Sequence, residues 1–211
     1  MKYIDLDTWP RLEAFLFFSQ ISNPFYAVTF PLDVTEVKRT AKAAGLSFYH
    51  TMIWVCTKAV NSVEAFRIRV RGEKLVLLDR TDPSFTDLRP GAEQFHIVSL
   101  PWQPTLRDFC RSAAEKSAAQ HEFLVAGEET DGLIYFSCTP WFDFTSLTNE
   151  HSADTDDTVP RIAWGKYYEE NGRLMLHVSV EVNHRTIDGM HLGRLKEALD
   201  TEIARLAETV E

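Results

Sequence analysis

The segment at residues 48–64 constrains the fold most, because its predicted helix is apolar on nearly every face. It contains the run FYHTMIWVCTKAV and begins directly after Ser47, a residue suited to capping a helix. A helix at the surface shows a single apolar stripe, whereas one that is apolar nearly all round has to be buried. We therefore expect this helix, with its Cys56, to lie in the core of one large domain.

Helical and strand patterns alternate along the chain. Further helices are predicted at 8–18, 35–44, 104–121 and 189–208, and strands at 25–32, 74–79, 95–100, 133–138, 161–168 and 173–183. Loops are indicated by Asp82, Pro83, Pro90 and Gly91, and the acidic stretch 150–158 is the best candidate for an exposed loop. This interleaving predicts a single α/β domain over residues 1–211, a layered sandwich with a mixed β-sheet and packed helices.

Composition excludes several classes of partner. The formal net charge of −9 disfavours a nucleic-acid or anionic-membrane surface, although a few local cations would serve an anionic cofactor. Three cysteines lack metal-ligand spacing, so we expect no metal and reduced thiols. The sequence shows neither a signal pattern nor an apolar run of membrane-spanning length, which predicts a cytoplasmic protein.

The chemically informative run is NHRTIDG at residues 183–189, where the last strand meets the last helix. His184 at a strand end is suited to general-base catalysis, because its ordinary pKa lies near neutrality. Asp188 is placed to cap the helix, and Gly189 permits a tight turn. Taken alone the pattern is weak, and it favours a surface or core histidine followed by an ordinary helix cap.

Several further blocks occur in a recognisable order: WPRLEAF at 9–15, FY at 48–49, DPSFT at 82–86, Phe95, SCTPWFDFTS at 137–146, GKY at 165–167, and HRTIDG continued by MHLGR at 184–194. Together they resemble the chloramphenicol acetyltransferase family over nearly the whole chain. The resemblance implies a coenzyme A-dependent O-acetyltransferase with a compact α/β fold, assembled as a homotrimer whose active sites lie at subunit interfaces.

The resemblance also implies residue roles. His184 would take the proton of an acceptor hydroxyl as that oxygen attacks the thioester of acetyl-CoA, in a ternary complex without an acyl-enzyme. Asp188 would pair with Arg11 to hold the histidine loop, and the Ser137 hydroxyl would stabilise the oxyanion. The positions near the coenzyme A channel are Tyr49, Lys166 and Tyr167.

The acceptor pocket departs from the family pattern. Its matching positions are Phe18, Phe95, Asn149 and His151, with Ser22 and Pro24 near the end of the first helix. Phe18 replaces a tyrosine, and Asn149 and His151 replace apolar lining, so chloramphenicol is the nominal acceptor and another hydroxyl compound is possible. Asn183 replaces the first of two histidines, and Ala163 a threonine that helps to hold a water.

Three alternatives stay open. The HRxxDG run also fits a dihydrolipoamide acyltransferase catalytic domain, although such chains normally carry lipoyl segments ahead of it. A catalytically silent small-molecule-binding homologue is a second alternative. A hydrolase that uses Cys138 as nucleophile with His184 is a third.

Overall fold

We describe a computed structural model of residues 1–152 and 154–207. Its helices are α1 (Leu12–Phe18), α2 (Thr35–Ala44), α3 (Phe48–Ser62), α4 (Leu106–Ala119) and α5 (Gly189–Leu206), with a 3₁₀ turn at Glu64–Arg67. Its strands are β1 (Lys2–Ile4), β2 (Phe25–Asp33), β3 (Ile68–Arg71), β4 (Lys74–Leu77), β5 (Asp82–Asp87), β6 (His96–Ser99), β7 (Leu133–Cys138), β8 (Arg161–Trp164), β9 (Tyr168–Glu170) and β10 (Arg173–Asn183).

The strands form one large and one small sheet. The large sheet has the order β2-β10-β8-β7-β5-β6, with β9 also paired to β10. Its β5–β7 and β7–β8 pairs are parallel and the others antiparallel, so the predicted mixed sheet is confirmed. The small sheet, in the order β1-β4-β3, is antiparallel throughout.

Helix α3 lies in the main core, as its all-round apolarity predicts. The Ser47 hydroxyl caps it by accepting from the His50 amide at 3.3 Å, and ten of its fifteen residues are buried. Burial of Cys56 within this helix raises the pKa of its thiol to about 12. The helix packs with α2, α4, α5 and one face of the large sheet into a continuous apolar cluster.

Helix α1 belongs to a second, smaller core. Its Phe15 is buried against Ile68 and Val70 of β3 and Leu75 and Leu77 of β4. Helix α1 therefore lies against the small sheet, and it also reaches the end of β10 in the large sheet.

The odd-numbered side chains of β10 attach the segment 143–157 to the large sheet, on the face away from α3 and α5. The contacts are His177 with Asp143, Ser179 with the Leu147 carbonyl, Glu181 with Asn149 and His151, and Asn183 with the carbonyls of Thr155 and Asp157. The even-numbered neighbours Val178, Val180 and Val182 face the core. The period-two alternation of a strand thus separates an apolar face from a polar stripe.

Some sequence-based boundaries are wrong. Helix α1 begins at Leu12 rather than Thr8, because the Thr8 hydroxyl bonds back to Asp5 instead of capping. Asp82 and Pro83 begin strand β5, where Pro83 lacks a donor but its carbonyl accepts from Leu100. The residues predicted as one strand at 161–168 divide into β8 and β9, because Lys166 donates to the Phe142 carbonyl outside the sheet.

Two further predictions need correction. The stretch 150–158 is not simply exposed, since Thr158 is buried and three carbonyl or carboxylate groups of the stretch bind Asn183 and Arg185. The short strands β1 and β3 are missing from the sequence-based prediction. The predicted end of the last helix, at 208, lies outside the described residues.

Candidate active site

His184 directly follows β10, and aromatic rings surround it. Its amide donates to the Pro24 carbonyl at 2.8 Å, which extends the β10–β2 ladder by one bond. Its imidazole stacks on Phe18 of α1 with centroids 3.8 Å apart, and the Tyr26 ring lies 4.4 Å away at a tilt. Partial burial lowers the pKa of His184 below its ordinary value of 6.5, against the opposing charge of Asp188. The ring is therefore neutral at physiological pH, as a general base requires.

Asp188 caps α5 and pairs with Arg11, as the family pattern implies. One carboxylate oxygen accepts from the Met190 amide at 3.1 Å, and the other binds the Arg11 guanidinium. His191 completes a capping box through its Nδ1, which accepts from the Asp188 amide at 3.1 Å. Bonds from Arg11 and His191 hold the pKa of Asp188 below its usual range against the opposing effect of burial. Gly189 has no left-handed backbone, so the turn does not depend on it.

Tyr26 belongs to this group, although the sequence did not single it out. Its hydroxyl lies 3.4 Å from the Ile187 carbonyl as a donor, and its ring faces His184. Burial, reinforced by the negative charge of Asp188, raises the pKa of Tyr26 to about 12. Tyr26 therefore keeps its proton and acts as a donor beside the imidazole.

Asn183 has a clear role in this chain. Its Nδ2 donates to the carbonyls of Thr155 and Asp157, both at 2.9 Å, and its Oδ1 accepts from the Arg185 amide at 3.0 Å. An amide offers both donors and an acceptor, so a single buried side chain satisfies three backbone groups. The asparagine that stands here in place of histidine therefore has both its side-chain nitrogen and its side-chain oxygen paired.

Ser137 lies near the end of β7, in register with Ala163 of β8. It is half-buried, and among residues 1–152 and 154–207 its hydroxyl has no hydrogen-bond partner. Beyond it Trp141 and Phe142 are exposed, at 67% and 57%. Burial raises the pKa of the neighbouring Cys138 thiol to about 12, which argues against the Cys138-nucleophile alternative, since the thiolate is the reactive form.

The predicted coenzyme A residues lie at the same end of the sheet as Ser137. Lys166 is exposed and follows β8, and the half-buried Tyr167 ring packs at 5.5 Å against Phe48. Lys38, which the sequence did not indicate, holds its ammonium 5.1 Å from the Tyr167 ring. The Tyr49 hydroxyl donates to the Thr86 carbonyl at 2.7 Å, and its ring packs on Phe85 and Trp164.

The predicted acceptor positions are divided between the two ends of the sheet. Phe95, 44% exposed, contacts Phe123 near the start of β6. His151 stacks on Phe25 at 3.7 Å, near His184, but its Nε2 bonds to buried Glu181 at 2.5 Å. Asn149 donates to the same carboxylate through its backbone N–H and through its side-chain Nδ2. Within one chain Asn149 and His151 therefore fasten the 143–157 segment instead of lining an open pocket.

His184 and Ser137 lie at opposite ends of the strands of the large sheet. We call these two ends the His184 edge and the Ser137 edge. Strand β7 runs parallel to β8 and β10 antiparallel to it, so their carboxyl ends point in opposite directions. Ser137 is level with Ala163 and Ser179, and His184 is five residues beyond Ser179. At strand spacings this is about 17 Å along β10 and about 10 Å across the sheet. One chain alone cannot bring the two side chains to one reacting group.

Comparisons with known proteins identify the family. The family model described as chloramphenicol acetyltransferase matches residues 1–200. The chain belongs to the chloramphenicol acetyltransferase family. It is 31% identical to a chloramphenicol acetyltransferase of Streptomyces acrimycini, covering 95% of this chain and 93% of that one. It is 30% identical to chloramphenicol acetyltransferase 2 of Escherichia coli, covering 93% of each.

Solved structures show the same fold. A chloramphenicol acetyltransferase superposes with a TM-score of 0.84 at 26% identity, covering 96% of this chain and 99% of the other. A dihydrolipoamide acetyltransferase of Azotobacter vinelandii superposes with a TM-score of 0.69 at 19% identity, covering 94% and 88%. The second likeness is one of fold alone. In the part of the chain that the structure describes, no helix has the length and hydropathy for a membrane crossing.

Proposed function

We propose that this protein transfers the acetyl group of acetyl-CoA to a hydroxyl of a small molecule, with chloramphenicol as the first candidate acceptor. The observation that carries the proposal is the state of His184. Its imidazole is neutral, is packed between two aromatic rings, and has no hydrogen bond to its ring nitrogens among residues 1–152 and 154–207. A ring nitrogen is thus available for a hydroxyl proton.

The proposed reaction is a direct transfer. The acceptor oxygen attacks the thioester carbonyl while His184 takes the hydroxyl proton, and a tetrahedral oxyanion forms. Collapse of that intermediate breaks the carbon–sulfur bond, and the imidazolium returns the proton to the departing thiolate. The Ser137 hydroxyl, which has no partner among the described residues, donates to the oxyanion, a contribution of about 3 kcal/mol to the barrier.

We propose that the working site forms between copies of the chain. The separation of His184 and Ser137 supports this, since a head-to-tail contact would bring one sheet edge of a subunit to the opposite edge of its neighbour. Both edges expose apolar side chains, Phe17 and Met190 near His184 and Trp141 and Phe142 near Ser137. Such heterologous contacts close into rings, and the resemblance to the family favours a ring of three.

Acetyl-CoA would bind at the Ser137 edge as a co-substrate. Lys166 and Lys38 supply positive charge there, and Tyr167, Tyr49 and Phe48 supply aromatic surface. Phosphates and an adenine ring call for that combination of groups. The acceptor would approach Phe18, Phe95 and the region of Asn149 and His151.

The test is release of free thiol from acetyl-CoA, with chloramphenicol and a panel of other hydroxyl compounds. We expect acceptor-dependent release that His184→Ala abolishes. Release with another alcohol but not with chloramphenicol would keep the mechanism and change the acceptor. Transfer to dihydrolipoamide in preference to alcohols would favour the related dihydrolipoamide acyltransferases, and ligand binding without turnover would favour a silent homologue.

A further inference from the structure

Arg185 follows the catalytic histidine directly, and its side chain is tied to two other parts of the molecule. The residue is only 6% exposed. Its Nε donates to the Ser19 hydroxyl at 2.9 Å, at the carboxyl end of α1. Its Nη1 donates to the Thr155 carbonyl at 3.0 Å and to the Asp156 carboxylate at 2.5 Å. A buried arginine with this many specific partners is held in one orientation.

Helix α1 also supports His184 directly. Phe18 covers one face of the imidazole, and Arg11 at the other end of α1 pairs with Asp188. The guanidinium of Arg185 lies over the Phe15 ring of the same helix, 4.7 Å from its centroid. The loop from 184 to 188 is therefore attached to α1 at both ends, by Arg185 to Ser19 and by Asp188 to Arg11, with the imidazole stacked on Phe18 between them.

We propose that Arg185, held by Asp156 and Ser19, is a positioning residue that fixes the orientation of the His184 imidazole against Phe18. The proposal rests on the proposed acetyl transfer, in which His184 is the base. Arg185 itself touches no reacting atom. Helix α1 has only seven residues and little core of its own. Its position against His184 therefore depends on its two attachments to the 184–188 loop, one of which is made by Arg185.

The chain supplies a matched control in Arg161. Its Nη2 pairs with Asp157 at 2.7 Å and its Nη1 donates to the Val159 carbonyl at 3.1 Å. Arg161 therefore fastens the same 150s segment but has no contact with the 184–188 loop or with α1 among the described residues. Loss of Arg161 removes a comparable ion pair without releasing the histidine.

The experiment compares Arg185→Met with Arg161→Met by steady-state kinetics, at a temperature well below both melting transitions. We expect Arg185→Met to lower kcat by about 10-fold or more, because small displacements of a reacting group are costly. The KM for acetyl-CoA should stay within about twofold, since the Arg185 side chain contacts Ser19, Thr155, Asp156 and Phe15 and none of the predicted coenzyme A residues. Arg161→Met should keep the kcat and KM of the wild type, even if its melting temperature falls as far as that of Arg185→Met.

A second measurement does not depend on turnover. The His184 ring resonance, assigned by its loss in His184→Gln, is titrated by NMR in each variant. Arg185→Met should raise the pKa of His184 towards 6.5 as the Phe18 stack loosens, while Asp188 and Arg11, which also act on the ring, stay in place. Arg161→Met should leave the titration unchanged.

The outcomes separate the two proposals. Equal kcat and equal titration in Arg185→Met and Arg161→Met would overturn the positioning role. No thiol release by the wild type with any acceptor would overturn the acetyl transfer, while the NMR comparison would still decide the role of Arg185. If Arg185→Met fails to fold, Ser19→Ala removes one contact and Asp156→Asn removes the charge from the other, and each should show a smaller loss in the same direction.

Discussion

The two edges of the large sheet differ in how completely one chain builds them. At the His184 edge, ring stacking, a capping box and two arginine–aspartate pairs hold the groups around the imidazole. At the Ser137 edge, the serine hydroxyl has no partner among the described residues, and Trp141 and Phe142 face outwards. Under the proposed function, the base would be preorganised within each subunit, whereas the oxyanion donor and its surroundings would be completed by assembly.

The largest expected effects come from replacing His184 and Ser137, and they test whether the two residues meet only between subunits. We expect His184→Ala to lower kcat by about 10²- to 10⁴-fold and Ser137→Ala by about 10²-fold. If the two residues meet only between subunits, unfolding and refolding the two variants together creates sites that carry both side chains. An equal mixture should then recover about a quarter of the wild-type activity, as random pairing across a heterologous interface predicts.

The control for this mixture is each variant refolded alone, which should keep its own low activity without recovery. Absence of recovery, with assembly of the mixture shown by light scattering, would mean that the residues act within one chain. The comparison between the edges would then be wrong.

The second prediction concerns the ion pair at the His184 edge. Arg11→Met should destabilise the fold by about 1–3 kcal/mol, because it leaves a partly buried carboxylate without its cation. Arg11→Lys should recover much of the loss, since only Nη1 of Arg11 binds Asp188 in the structure. Chemical denaturation of the three proteins at neutral pH measures both effects.

The same pair sets a pH dependence of stability. The folded pKa of Asp188 is lowered, so the stabilisation is present above the unfolded carboxyl pKa of about 3.9 and is lost as pH falls through the lower folded value. The difference between wild type and Arg11→Met should therefore shrink at strongly acidic pH. A constant difference down to that range would contradict the assigned role.

The third prediction concerns the backbone at the Ser137 edge. A Cβ on Gly165 would lie 2.7 Å from the Phe142 carbonyl oxygen, so Gly165→Ala should push the Trp141–Phe142 turn outwards. We expect a loss of about 1–3 kcal/mol, as for other overpacked sites. The control is Gly193→Ala, where the new Cβ has no described atom within 4 Å apart from its chain neighbours and the backbone of its own helix, and α5 should gain about 0.5–1 kcal/mol in stability.

Thermal denaturation of the two glycine variants gives the comparison. If the Ser137 edge takes its final form only on assembly, Gly165→Ala should also weaken the oligomer, and Gly193→Ala should not. Equal oligomer stability in both would show that the Trp141–Phe142 turn has no part in assembly.

The smallest effect is a shift in pH profile. Because burial lowers the pKa of His184, the base stays neutral below pH 6.5, and the acid limb of kcat/KM should lie below that value. Arg11→Met should move this limb to higher pH, since the Arg11 charge is one of the influences that lower the His184 pKa. A limb above pH 6.5 in the wild type would mean that the imidazole is more hydrated than the structure indicates.

Much of the fold follows from local patterns. The left-handed Gly45 ends α2 where the sequence predicts, Ser47 caps α3, and Asp188 caps α5. These signals depend on a few neighbouring residues, so they survive any tertiary arrangement. The Thr8 cap is wrong because the hydroxyl bonds to the nearby Asp5 instead. The loop at Asp82 and Pro83 is wrong because pairing with the distant strand β7 overrides a weak local preference.

The sequence by itself determined the family, and through the family resemblance it indicated His184 as the candidate base and Asp188 as the partner of Arg11, because the matching residues lie in short runs in a fixed order. Only the tertiary structure decided that His184 and Ser137 lie at opposite sheet edges, that Asn149 and His151 bind Glu181, and that Arg185 joins the histidine loop to α1. Strand direction and register decide those distances, and they arise from pairings between residues far apart in the chain, which no local pattern encodes.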